Sequence, residues 1–169
     1  MNQPKKTLTW PDALPRAGNR RLERLESLSP WFEIYKVSEG VFAVLEPGHA
    51  EEVISYLILG SERAVLFDTG MGIANLQAEV ERLADLPVII VASHGHYDHI
   101  GDNHRYTEVW AFDSDSGLMK AVVDYNDVVS ADAGLFDGSL ADYLTANPPA
   151  AGDTWTVEHL LDGVDVRCL

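Results

Sequence analysis

The hydrophobic period changes twice between Trp31 and Val91, and those two changes restrict the fold more than any other feature of the chain. Phe32-Glu33-Ile34-Tyr35-Lys36-Val37 alternates, Gly40 interrupts, and Val41 to Leu45 resumes, which predicts a hairpin. Pro47-Gly48-His49-Ala50 reads as a turn, Val53 to Leu59 as a third strand, and Gly60-Ser61-Glu62-Arg63 as another turn. The apolar strand Ala64-Val65-Leu66-Phe67 then runs into Asp68-Thr69-Gly70. From there the period lengthens. Ile73, Leu76, Val80, Leu83 and Leu86 fall on one face of a helix that Pro87 stops. The β-branched run Val88-Ile89-Ile90-Val91 returns to strand and suits one buried on both faces. Antiparallel strands followed by a β-α-β unit predict a layered α/β (α+β) domain.

At 169 residues the chain is long enough for one domain with a single core. Residues 1–30 hold Pro4, Pro11, Pro15 and Pro30, with one short helical pattern at Leu22, Leu25 and Leu28, and read as an N-terminal extension to a domain over 31–169. Charge divides the same way. The first thirty residues carry six basic and three acidic groups, and the rest carry six basic and twenty-four acidic ones. A net charge of −15 is far from the basic footprint of a nucleic-acid binder and disfavours anionic membranes. The only cysteine, Cys168, excludes an internal disulfide and a multi-thiolate metal site. With no apolar h-region in the first thirty residues and no long apolar run, the expected compartment is the cytoplasm. Beyond residue 100 the pattern predicts a short helix at Asn103 to Tyr106, a strand at Val109 to Phe112 and a helix from Ser116 to Tyr125. Residues 127–152 read as loop with one helical turn at Leu140 to Leu144, before strand-like pieces at Thr154 to Val157 and Val164 to Leu169.

Chemistry concentrates in Ser93-His94-Gly95-His96-Tyr97-Asp98-His99-Ile100-Gly101, which follows the buried strand directly. Three of the six histidines and an aspartate fall within six positions. His94 and His96 are two apart, so on extended backbone both rings leave the same face. Gly95 between them permits tight curvature and close approach of a ligand. Asp98 and His99 follow on a turn that can aim both at the same point. Imidazole and carboxylate are ligands that zinc and other borderline divalent metals accept, and the carboxyl end of a strand in a β-α-β unit is where α/β sheets place their sites.

This string, with an upstream strand ending in Asp68-Thr69-Gly70, resembles the signature of the metallo-β-lactamase-fold hydrolase superfamily, and the resemblance covers about residues 31–169. It implies an αββα sandwich with one or two zinc ions at its edge. By that resemblance His94 and His96 ligate the first metal, Asp98 and His99 ligate the second, and Asp68 orients the metal-binding loop without coordinating. It also implies a metal-bound hydroxide that attacks an ester, thioester, lactone or amide carbonyl of a small-molecule substrate, with Asp98 orienting the water or shuttling its proton. An imidazole at His96, where di-iron members carry a carboxylate, points to hydrolysis rather than redox chemistry. Tyr97 and His49 are candidate substrate contacts; packing beside the metal loop competes for Tyr97. His104 and His159 read as ordinary polar positions. The acidic stretch with Asp113, Asp115, Asp124, Asp127, Asp132 and Asp137 reads as a solvated face.

The family pattern also calls for a later histidine in a Pro-Gly-His context, and after His104 this chain has only His159, flanked by Glu158 and Leu160. The chain stops within the alternation Val164-Asp165-Val166-Arg167-Cys168-Leu169. Both features suggest the N-terminal half of a longer hydrolase, with apolar surface that a homo-oligomer could cover. The rival expectation is a non-catalytic fragment or remnant that needs a partner or the missing half to fold and bind metal fully.

Overall fold

The structure is a computed structural model and describes residues 14–49, 51–112 and 165–168. Those residues form an eight-stranded mixed sheet in which strand order follows chain order throughout. Strands β1 (Glu23–Leu25), β2 (Glu33–Ser38), β3 (Val41–Leu45), β4 (Ile54–Leu59) and β5 (Ala64–Phe67) pair antiparallel. Strands β6 (Val88–Val91), β7 (Glu108–Ala111) and β8 (Asp165–Cys168) continue from β5 in parallel. Helix α1 (Leu76–Leu83) crosses from β5 to β6, and the four-residue α2 (Tyr97–Ile100) lies between β6 and β7. This is the α+β arrangement expected from the two changes of period, and it brings the ends of β5 and β6 to one edge of the sheet.

The register shows why these residues make strands. Phe42, Leu57, Leu66, Ile90 and Val109 are partners in neighbouring strands and so share one face. Four of them, Leu57, Leu66, Ile90 and Val109, are fully or almost fully buried beneath Leu76, Val80 and Ala84 at α1. The helix is shorter than its apolar pattern. It begins where Asn75, in extended conformation, accepts the Ala78 N–H at 3.0 Å, and it ends where Ala84 returns to extended backbone. Glu79 also faces inward, where its Oε1 accepts the Ser27 hydroxyl and the Leu28 and Ser29 N–H groups.

The opposite face is different. Ala43, Tyr56, Phe67, Val91 and Trp110 form its central row, and Ile54, Tyr56, Ile58 and Phe67 remain 36–42% exposed. Strand β6 is therefore covered fully only at Ile90 among the described residues, rather than on both faces. The described residues supply a single sheet of the αββα sandwich that the family resemblance implies.

One helical expectation gives way to strand. Leu22, Leu25 and Leu28 do not line a helix, because Glu23–Leu25 pair with Ile34–Lys36 as edge strand β1. Leu22 packs on Tyr35, Ala43 and Leu45, Leu25 packs on the main core, and Leu28 faces solvent, so the three leucines never shared a face. A 3-10 turn spans Asn103–Arg105 where a short helix was expected. The expected helix at Ser116–Tyr125, the helical turn at Leu140–Leu144, the strand at Thr154–Val157, His159 and the acidic stretch lie outside the described residues. No helix among the described residues is long and apolar enough to cross a membrane.

Leu57→Ala should cost about 2–5 kcal/mol in urea unfolding, as for other fully buried leucines, whereas Ile58→Ala on the open face of the same strand should cost well under half as much.

Candidate metal centre

Parallel pairing carries β5 and β6 to the same edge, and the backbone continues the ladder past their ends. Asp68 N–H donates to Val91 C=O at 2.8 Å, and Ala92 N–H to Trp110 C=O at 2.8 Å. Asp68 then takes a left-handed conformation, with φ +63°, which a non-glycine residue adopts only when its surroundings compel it. The compulsion is visible in its side chain. Asp68 Oδ1 accepts Ser93 N–H at 2.6 Å, and Oδ2 accepts the Ser93 hydroxyl at 2.7 Å and lies 2.9 Å from His99 Nδ1. One carboxylate thus ties the loop after β5 to both ends of the histidine segment.

The proton assignment follows from the donor inventory. Ser93 has one hydroxyl hydrogen, and a carboxylate only accepts, so that hydrogen goes to Asp68. His94 Nδ1, 2.8 Å from Ser93 Oγ, must then donate, which leaves Nε2 of His94 as the lone-pair nitrogen. By the same argument His99 Nδ1 donates to Asp68, while its Nε2 faces the Asp98 carboxylate. The three rings gather closely: His94 lies 4.5 Å from His96 and 4.3 Å from His99 between centroids. His96 is exposed, whereas His94 and His99 are half-buried.

Asp98 Oδ2 stands 3.3 Å from His99 Nε2. The His99 imidazole is raised to about 10, first by its hydrogen bond to Asp68 and next by that to Asp98. Burial pushes the Asp98 carboxyl up, but the bond and charge of His99 outweigh it and hold Asp98 below its ordinary value.

The donor set suits a divalent cation in its chemistry. Imidazole nitrogen and carboxylate oxygen are groups that zinc accepts, and in this structure Asp98 Oδ2 and His99 Nε2 face each other at 3.3 Å as an ion pair. His94 keeps Nε2 free of Ser93 as a further donor. Even so, no group of three or more His, Cys, Asp or Glu side chains among the described residues already stands as a ready cluster.

The other expected site residues are placed clearly. Tyr97 packs beside Val53 and Met71, the packing alternative to a substrate contact. His49 is almost fully buried in the loop after β3, where its Nδ1 accepts Glu51 N–H at 3.1 Å. His104 Nδ1 lies 3.1 Å from Gly101 C=O on the 3-10 turn.

Several positions that support the site carry no local signal in the sequence. Thr69 N–H donates to His99 C=O at 2.8 Å, and the Thr69 hydroxyl donates to Asn103 Oδ1 at 2.8 Å. Gly101 N–H donates to Gly70 C=O at 2.7 Å, and a Cβ on Gly101 would collide with the Met71 and Gly72 backbone. Asp102, fully buried, accepts the Leu76 and Gln77 N–H groups at the start of α1. Glu46, just past β3, is also buried. Its Oε2 accepts Trp31 Nε1–H at 2.5 Å, and its Oε1 accepts Met71 N–H at 2.9 Å.

The metallo-beta-lactamase superfamily family model matches residues 51–115. The acyl-coenzyme A thioesterase MBLAC2 of Gallus gallus is 25% identical over 142 residues, covering 76% of this chain and 47% of that protein. The Bos taurus protein of the same name is 27% identical over 95 residues, covering 47% of this chain and 33% of its own length. Among solved structures, the DIM-1 metallo-beta-lactamase superposes with a TM-score of 0.44 at 20% identity, covering 58% of this chain and 47% of that one. A metallo-beta-lactamase from Erythrobacter litoralis gives 0.44 at 15% identity, covering 68% and 50%. The match to the superfamily model is thus confined to residues 51–115, the stretch that holds the ends of β5 and β6 and the histidine segment. The chain spans at most about half the length of the curated relatives it matches.

Burial pushes the Glu46 carboxyl from its ordinary 4.5 up to about 7, and the Asp102 and Asp98 charges add to that rise against the two hydrogen bonds. A raised folded-state pKa means that this group's stability contribution is full below about 4.5 and is lost as pH climbs through about 7. The urea midpoint of the wild type should therefore fall between pH 5 and pH 8 more steeply than that of Glu46→Gln, which cannot ionise; parallel profiles would contradict the shift.

Proposed function

We propose that this chain carries the catalytic loop of a divalent-metal hydrolase that cleaves a carbonyl ester, thioester, lactone or amide of a small molecule, with zinc as the expected cation. The observation behind this reading is the Asp68 carboxylate, which takes donors from Ser93 and His99 and so orients a cluster of three imidazoles at the sheet edge. The names of the MBLAC2 relatives favour a thioester among the substrate classes. A divalent cation, when bound, supplies Lewis acidity that activates water near neutral pH and polarises a carbonyl.

The chain's own residues divide the remaining work. His94 and His96 are assigned to one cation, and Asp98 and His99 to a second. Ser93 fixes His94 with Nε2 outward, and Asp68 holds His99 by Nδ1. Orientation of ligands by such outer hydrogen bonds sharpens affinity, because less side-chain freedom is lost on binding. Asp98 Oδ2, at the edge of the cluster beside His99 Nε2, is the position at which a proton is held or passed. Tyr97, packed beside Val53 and Met71, and His49, buried after β3, are the weaker candidates for a substrate contact.

Purified protein should bind zinc, and His94→Ala with His96→Ala should abolish binding. Asp68→Asn should weaken binding by about 10–100-fold while leaving the ligands in place. Hydrolysis of a thioester and ester panel should vanish with chelator and return with zinc. Equal zinc content in the wild type and the double variant would rule this function out.

A further inference from the structure

A buried carboxylate on the far side of the Asp68 loop has no part in the chemistry above, yet it touches that loop at its tightest point. Glu46 is 3% exposed and follows β3, two strands away from β5. Both its oxygens are committed. Oε2 accepts Trp31 Nε1–H, and Oε1 accepts Met71 N–H, three residues after Asp68. Gly70 between them has φ +67°, and a Cβ there would collide with Glu46 Oε1. Trp31 is fixed in turn, because it packs so closely on Gly48 that a Cβ at that position would strike its ring. A rigid indole therefore holds the carboxylate, and the carboxylate holds the loop.

We propose that Glu46 is a positioning residue for the candidate metal centre, clamping Gly70 and Met71 so that Asp68 keeps the left-handed backbone that aims its carboxylate at Ser93 and His99. The proposal rests on the metal-centre reading above for its functional meaning, although the clamp itself is geometric. Three loop residues lie between the clamp and the histidines, and each is pinned. Asp68 N–H bonds to Val91 C=O, Thr69 N–H to His99 C=O, and Gly70 C=O to Gly101 N–H. These bonds connect the Met71 end to the Asp68 backbone and to the histidine loop. Loss of one acceptor at Glu46 is thus passed to the Asp68 side chain through fixed backbone. Glutamine at this position keeps one acceptor and turns the other into a donor, which would face either Trp31 Nε1–H or Met71 N–H.

The test compares Glu46→Gln with Glu79→Gln, a second fully buried carboxylate that ties α1 to residues 27–29 and does not touch the loop. Two properties are read: zinc affinity by competition with a chromophoric chelator, and, in metal-free protein, the NMR signal of the His99 Nδ1–H held by Asp68. Glu46→Gln should weaken zinc binding about tenfold and shift or broaden that signal. Glu79→Gln should lower the urea midpoint and move neither property. Trp31→Phe, which removes the indole N–H together with part of the ring that packs on Gly48, should act in the same direction as Glu46→Gln, and it is judged by the same criteria if Glu46→Gln does not fold. Unchanged zinc affinity and an unchanged His99 signal would overturn the proposal, as would an equal effect of Glu79→Gln. If the wild type itself binds no zinc, the metal-hydrolase reading fails, and the His99 signal alone decides the role of Glu46.

Discussion

One carboxylate holds the two halves of this site together. Asp68 accepts a backbone N–H and a hydroxyl from Ser93 and lies in hydrogen-bond contact with His99 Nδ1, across a loop that begins 25 residues further along the chain. Three donors on one acceptor group are worth more than their number suggests, because bonds to a charged acceptor are about twice as strong as neutral ones. That strength is what offsets the left-handed backbone at Asp68. Its side-chain bonds add to the backbone bonds that join the loops beyond β5 and β6.

The surrounding contacts extend this tie into the body of the domain. Thr69 and Gly70 dock the first loop on His99 and Gly101 through backbone bonds, with glycine where two main chains approach too closely for a side chain. Asp102 then caps α1 by accepting from Leu76 and Gln77. The helix that covers the core and the turn that carries Asp98 and His99 are in this way parts of one hydrogen-bonded unit. Binding groups mounted on such a unit lose little freedom when a ligand arrives, which is the physical content of preorganisation.

Most of the sheet was legible because its signal is local. Strands β2 to β6 each alternate or run apolar over four to six residues, and turn residues separate them. Helix α1 was legible by its period, though its ends were set by Asn75 and by a cap from Asp102 that no local pattern reveals. The leucines at 22, 25 and 28 misled because three positions cannot separate a helical stripe from an edge strand, and pairing with β2 decided the matter. In the candidate site, the close spacing of His94, His96, Asp98 and His99 is visible in the sequence, and the structure gathers the three rings. Glu46 did not: its partners Trp31 and Met71 are distant in sequence, and a single acidic residue after a strand looks like any turn.

The edge of the sheet therefore gathers three imidazoles, two of them oriented by Ser93 and Asp68, within the stretch 51–115 that matches the metallo-beta-lactamase superfamily model. The most direct check is anomalous diffraction at the zinc absorption edge from crystals grown with zinc. A peak bounded by His94, His96, Asp98 and His99, with Asp68 still bonded to Ser93 and His99, is the expected result. Zinc seated elsewhere, or these four side chains turned away from any common centre, would contradict it.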